Sequence, residues 1–259
     1  MPTAQLGELR VNYRFDGRDD APVVVLSNSL GTSLAMWEPQ IPALTQHFRV
    51  LRYDTRGHGA SSAPPGPYTI AQMGMDVLAL LAHVEVPRAH FCGLSMGGMI
   101  GMWLGVNAPA HLGRLVLCNT AARIGPPENW NARIARVREG GMAAIADLVV
   151  ARWFSAAFLA SLPAAATEAR RMLLDTSPDG YVASCAAVRD MDQRDDVGRI
   201  SATTLVIAGT HDGVTTPDDC RYLVDRIDVA RYVELDAAHI SNLERPAEFT
   251  QALIDFLTE

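Results

Sequence analysis

Six short apolar runs, spaced between helix-like segments, restrict the fold of this chain more than any other feature. They are VVVLS at 23–27, RVLRYD at 49–54, AHFCGL at 89–94, RLVLCN at 114–119, TTLVIAG at 203–209 and ARYVELD at 230–236. Successive side chains of a strand point to opposite faces, so runs that are apolar at consecutive positions suit strands buried on both sides. Segments 69–83 and 96–107, and 246–257 opening at Pro246, read as helices between or after these runs. Strands alternating with helices build a parallel sheet covered on both faces. LRVNYRF at 9–15 instead alternates apolar and polar residues, as expected of an antiparallel strand near the sheet edge.

The pattern changes between 123 and 197. Strand-like runs vanish and alanine, arginine and methionine take over, as in MAAIADLVVARW and AAATEARRMLL. This reads as an all-helical insertion between two strands, opened by GPP at 125–127 and closed near DVGRI at 196–200. The expected organisation is a core of residues 1–122 and 198–259 carrying a helical cap of residues 123–197. A length of 259 residues with 49% apolar composition supplies a large core for this arrangement.

A formal charge of -7 and the lack of any basic stretch argue against nucleic acid or an anionic membrane as partners. They do not exclude an anionic small substrate, because local arginines can outweigh a distant net charge. Cys92, Cys118, Cys185 and Cys220 lie far apart, without metal-binding spacing, and read as reduced core thiols of a cytoplasmic protein. The opening MPTAQLGELR has no basic region followed by an apolar run, and no apolar run is long enough to span a membrane.

Gly93-Leu94-Ser95-Met96-Gly97 is the first candidate for chemistry. Gly-x-Ser-x-Gly arises by chance in about one chain in ten of this length, so its surroundings must decide. Ser95 ends an apolar run and opens a helix-like one, the strand–turn–helix context of a nucleophile elbow. The bland alternative is a helix N-cap serine.

A serine nucleophile needs a base, and the base needs an orienting acid. His239 follows the last strand-like run and precedes the last helix, which makes it the candidate base. His58, in DTRGHGAS, reads as a turn residue held by local hydrogen bonds. The remaining five histidines fall on helix-like or strand-flanking positions. Asp212 directly follows an apolar strand and is the candidate acid. Asp218 and Asp219 follow Pro217 and look like first-turn helix residues. Each candidate follows a parallel strand, so all three converge at one edge of the sheet. The oxyanion would rest on two backbone N–H groups, that of Met96 and one from the loop after VVVLS, for which Leu30 is the best candidate.

Together, GLSMGG, YDTRGHGAS, the acid after the strand at 203–209 and the late histidine resemble the α/β-hydrolase superfamily over essentially the whole chain. The order Ser95, Asp212, His239 is that of the superfamily. The resemblance implies a mostly parallel eight-stranded sheet flanked by helices, with the cap inserted after the sixth strand. LSNSLGTSLAMWEPQ, RYDTRGHGASSAPPGPYT, GLSMGGMIGMWLG and RLVLCNTAARIG are further similar to 3-oxoadipate enol-lactonases of bacterial aromatic-acid breakdown. Asn28-Ser29 stands where most relatives carry His-Gly. That resemblance implies hydrolysis of a small anionic lactone, with no cofactor and no metal. Non-specific esterases, perhydrolases and carbon–carbon bond hydrolases share the same triad and remain open. So does a non-catalytic ligand-binding relative, which the intact triad disfavours.

A free carboxylate on the substrate calls for a cation in the pocket. Trp130, Arg133, Ile134 and Val137 share one face of a helix in the insertion. Trp130 and Arg133 are therefore candidate substrate-binding residues, with Trp153 as a further wall. Otherwise Trp130 is cap core and Arg133 a surface residue with a packed stem. Arg136 and Arg138 point more to solvent.

Overall fold

In the computed structural model, which describes residues 2–161 and 163–259, the apolar runs form six neighbouring strands of one eight-stranded sheet, with ARYVELD at its edge and only partly buried. The strands are β1 (Thr3–Leu6), β2 (Leu9–Asp16), β3 (Val23–Ser27), β4 (Arg49–Tyr53), β5 (Ala89–Leu94), β6 (Leu112–Cys118), β7 (Thr204–Gly209) and β8 (Ala230–Leu235). Their spatial order is β1-β2-β4-β3-β5-β6-β7-β8. β2 pairs antiparallel with β1 and with β4, and every other pairing is parallel. β1 has no apolar run to announce it. It exists because TAQL pairs along its whole length with Leu9–Asn12 of β2.

The helices are α1 (Ile41–Leu44), α2 (Ile70–His83), α3 (Met96–Asn107), α4 (Pro127–Gly140), α5 (Ala146–Trp153), α6 (Ala156–Ala160), α7 (Ala164–Asp175), α8 (Pro178–Asp190), α9 (Pro217–Val224), α10 (Ser241–Glu244) and α11 (Pro246–Thr258). α2 starts at Thr69, whose hydroxyl caps the Gln72 N–H, and buries Met73, Val77, Leu80 and Leu81 along one stripe. α3 is apolar on nearly every side and accordingly lies inside the core. Asp218 and Asp219 do occupy the first turn of α9, where Asp219 and Thr216 form a capping box.

The connection from β6 to β7 is all helical, from α4 to α8. This insert is bonded to the sheet layer at several points. Gln193 donates its N–H to the Ala122 carbonyl (2.8 Å) and its side-chain amide to the Met99 carbonyl (3.0 Å). Ile240 donates its N–H to the Trp153 carbonyl (2.9 Å). All four cysteines are free and buried.

The strand order fixes where a ligand can sit. From β3 the chain crosses one way to β4 and the other way to β5, so the loops after β3 and β5 part company at their carboxyl ends. In open α/β sheets such a reversal opens a crevice, and ligands occupy it. The two loops concerned carry Leu30 and Ser95.

Candidate active site

Ser95 occupies a backbone conformation that side chains rarely adopt, with φ 58° and ψ -115°. Strain of this kind costs about 1–3 kcal/mol and persists only where the surroundings impose it. Here they do. The Ser95 N–H donates to the Cys118 carbonyl (2.9 Å), and the Ser95 carbonyl accepts from the Thr120 hydroxyl (2.8 Å). The flanking glycines are required by space: a Cβ on Gly93 would strike the Gly97 carbonyl, and one on Gly97 would strike that of Ser27. β5 and α3 thus meet at a turn too tight for side chains on either side of the serine.

The structure brings the three distant candidates together. Ser95 Oγ lies 2.9 Å from Nε2 of His239, and Nδ1 of His239 lies 2.8 Å from Oδ2 of Asp212. A carboxylate only accepts, so Nδ1 carries the ring proton and Nε2 is left to accept from the serine hydroxyl. All three residues are buried. Asp212 is also held by the N–H groups of Val214 (2.8 Å) and Thr215 (3.0 Å), the Thr215 hydroxyl (2.8 Å) and the Asn119 amide (3.1 Å). Burial pushes its carboxyl pKa up. Interaction with His239 and the bonds from Val214 and Asn119 outweigh burial and hold it below the ordinary carboxylate value.

The two candidate backbone donors belong to residues beside the serine. Leu30 and Met96 both line the cavity with Ser95 and His239. Among the described residues neither N–H is committed to an acceptor, whereas the neighbouring Gly31 and Gly97 N–H groups are, to His58 and to the Asn28 carbonyl. Asn28 points inward, donating to the Tyr53 carbonyl (2.7 Å) and accepting from the Trp37 indole (2.9 Å), and so pins the start of this loop.

The cap supplies the remaining walls: Trp130, Arg133, Arg152, Trp153 and Tyr181. Trp130 and Trp153 are buried and belong to the apolar core, so each is both core and wall. The Arg133 guanidinium stacks over the Trp130 ring at 4.8 Å and, among the described residues, has no carboxylate partner. Arg136 and Arg138 are exposed. The cavity is small, about 30 Å³. That is room for about one water, so an acyl substrate enters only if lining side chains rotate or the cap shifts.

Several supporting residues escape a reading of the sequence. Asn119, at a positive φ of 44°, follows β6 and donates to both Asp212 and the Ala238 carbonyl while accepting from Ser241 (2.6 Å). Its one signal is an asparagine directly after a strand, a residue type that tolerates this backbone. Glu244 is buried and binds the Ala238 N–H (3.0 Å) together with the N–H and hydroxyl of Ser155. It ties the histidine loop to the cap. His58 is also buried, and only one of its two bonds is local. Nδ1 bonds the Arg56 carbonyl (3.0 Å), so Nε2 accepts the Gly31 N–H (3.0 Å), the residue after Leu30. Arg152 carried no pattern at all.

No group of three or more metal-ligating side chains lies together among the described residues, and none of their helices is long and apolar enough to cross a membrane.

Comparison with known proteins places the fold in a family. Residues 22–246 match the family model described as alpha/beta hydrolase fold. The chain is 43% identical to 3-oxoadipate enol-lactonase 2 of Acinetobacter baylyi, covering 97% of this chain and 93% of that one. It superposes on the crystal structure of the enol-lactonase from Burkholderia xenovorans with a TM-score of 0.98, 50% identity and full coverage of both chains. A thermophilic esterase from Thermogutta terrifontis is more distant, with 28% identity, a TM-score of 0.92 and coverage of 98% and 95%. A serine strained at the end of β5, an aspartate after β7 and a histidine after β8 are carried here on a sheet that matches these proteins over nearly its whole length, and the chain belongs to the α/β-hydrolase fold family.

Proposed function

We propose that this protein is a serine hydrolase that opens the ester bond of 3-oxoadipate enol-lactone to give 3-oxoadipate, in bacterial aromatic-acid catabolism. The observation that carries the chemistry is the unbroken chain from Ser95 Oγ through His239 to Asp212, beside two free N–H groups. The substrate rests on the likeness to the two enol-lactonases.

In this reading Ser95 Oγ attacks the lactone carbonyl while Nε2 of His239 takes its proton. Asp212 holds the ring in the required tautomer and stabilises the imidazolium. The tetrahedral oxyanion rests on the N–H groups of Leu30 and Met96, each such donor being worth about 3 kcal/mol in the transition state. Collapse breaks the ring C–O bond, and the His239 proton goes to the departing enolate, a better leaving group than an ordinary alkoxide. The enol becomes a ketone. Water, deprotonated by His239, then releases the acyl group from Ser95. No step calls on a metal or cofactor.

Residues 1–122 and 198–259 serve as the catalytic core and 123–197 as the lid over it. Trp130 and Trp153 shape the pocket, and Arg133 meets the substrate carboxylate. The absence of a carboxylate partner for Arg133 supports that role. Four buried free thiols suit work in the reducing cytoplasm.

Steady-state turnover of the enol-lactone beside a neutral 4-nitrophenyl ester tests the assignment. Much faster lactone hydrolysis, with KM raised by Arg133→Ala, is expected. Preference for the neutral ester would leave a broad esterase instead, and an unchanged KM would remove Arg133 from the pocket.

A further inference from the structure

All 22 basic residues of the chain, histidines aside, are arginines, and among the described residues fifteen of them pair with a carboxylate. The seven without one are not scattered evenly. Arg133, Arg136 and Arg138 stand on α4 and Arg152 on α5. Three of these four line one groove on the outer face of the cap. Asn129, Arg133 and Arg136 bound it from α4, and Val149 and Arg152 from α5. The spacing i, i+4, i+7 on α4 puts its three on one side of the helix.

Among the described residues no acidic one lines the groove. Asp147 of α5 is bonded instead to Arg170 (3.0 Å). Like charges at Arg133 and Arg136, three residues apart, repel and destabilise a helix unless something neutralises them. Here nothing within the described residues does. The groove also adjoins the catalytic cavity: Arg133, Val149 and Arg152 line both and stand between them.

We infer that Arg133, Arg136 and Arg152 form an anion-guiding groove on the cap, which draws carboxylate-bearing substrates from solution and passes them to the cavity at Ser95. This rests on the reading that the substrate is an anionic acyl compound. A chain of formal charge -7 repels such a substrate at long range. Within a Debye length, about 8 Å at physiological salt, three clustered guanidinium groups dominate the local field. Steering acts on the encounter, so it raises kcat/KM for anions and fades as salt screens it. Arg133 serves both ends of the path, while Arg136 touches only the outer one.

The test compares two esters with one leaving group, mono-4-nitrophenyl succinate, which is anionic, and 4-nitrophenyl butyrate, which is neutral. kcat/KM is measured for the wild type, Arg136→Glu, Arg136→Gln and Arg88→Glu between about 10 mM and about 300 mM salt. Arg88 is an exposed arginine without a carboxylate partner among the described residues, directly before β5 and so at the opposite edge of the sheet from Ser95, and its replacement makes the same change in net charge. In the wild type the anionic-to-neutral ratio of kcat/KM should fall about fivefold with salt. At low salt Arg136→Glu should lower that ratio about tenfold and Arg136→Gln about threefold, as expected of a steering charge. Arg88→Glu should leave it within about twofold, because the field of a charge weakens with distance. A ratio that ignores salt and both Arg136 variants, or one that follows Arg88→Glu as strongly, overturns the groove. If the enol-lactone is turned over but the ratio does not move, the groove fails and the lactonase reading stands. If the ratio moves but the enol-lactone is ignored, the groove stands and the substrate assignment fails.

Discussion

Replacing His58 by phenylalanine should slow the reaction without weakening substrate binding. The ring is 1% exposed, so no water can take its place. Nε2 is the acceptor for the Gly31 N–H at 3.0 Å, and Gly31 stands at a positive φ of 81° directly after Leu30. Phenylalanine keeps a flat ring there, slightly larger than imidazole, and accepts nothing. An orphaned buried N–H costs about 1–3 kcal/mol, and the loop relieves that cost by turning its peptides toward other acceptors. Rotation there misaims the Leu30 N–H, which in the proposed mechanism is a donor worth about 3 kcal/mol to the oxyanion. Each 1.36 kcal/mol is about tenfold in rate, so kcat should fall about 10–100-fold. KM should change less than about threefold, because the oxyanion is absent from the ground state. His58→Gln, whose amide oxygen can reach the same N–H, should recover most of the loss. Steady-state kinetics gives the split between kcat and KM, and affinity for a boronic acid that forms a tetrahedral adduct on Ser95 reports the oxyanion site alone. A fall in KM-type binding with the boronate affinity intact would refute the reasoning, as would glutamine behaving no better than phenylalanine.

Three further outcomes follow from the same contacts. Asp212→Asn keeps the shape but loses the carboxylate that selects the tautomer, so kcat should drop about 10³–10⁴-fold while the circular dichroism spectrum stays unchanged. Gly97→Ala places a methyl group against the Ser27 carbonyl, which cannot retreat within the sheet, and should lower the melting temperature by several degrees or abolish soluble expression. Burial lowers the pKa of His58 and of His90 below the ordinary 6.5, so the unfolded chain takes up protons before the folded one as pH falls. Stability should therefore be full above about pH 6.5 and decline below it, and His58→Gln should flatten that slope in urea titrations at successive pH values. A slope unchanged by the substitution would assign the effect to other groups.

Much of the fold is legible in the sequence because the central strands are buried on both faces and leave unbroken apolar runs. TAQL of β1 is not legible: its partner β2 makes it a strand, and its own residues do not. The insertion announces its helical character through composition, but which face of α4 meets the cavity depends on its packing against α8. The three triad candidates are visible because each follows a parallel strand, and parallel strands end on one edge of the sheet. Their supports are not. Asn119 meets Asp212 across 93 positions of sequence, and Ser155 meets Glu244 across 89. His58 shows the limit most plainly. Its turn is readable from DTRGHGAS, and the local bond to Arg56 follows from it. The bond to Gly31 appears only when the loops after β3 and β4 are laid side by side.

The proposed mechanism turns on Ser95 attacking the enol-lactone carbonyl. Loss of the ultraviolet absorbance of 3-oxoadipate enol-lactone, followed with wild-type protein and with Ser95→Ala, tests that step directly. Rapid hydrolysis by the wild type, with the variant reduced to a residue set by the binding pocket and oxyanion donors alone, is the predicted result. Comparable turnover by Ser95→Ala would remove the serine from the chemistry and contradict the mechanism.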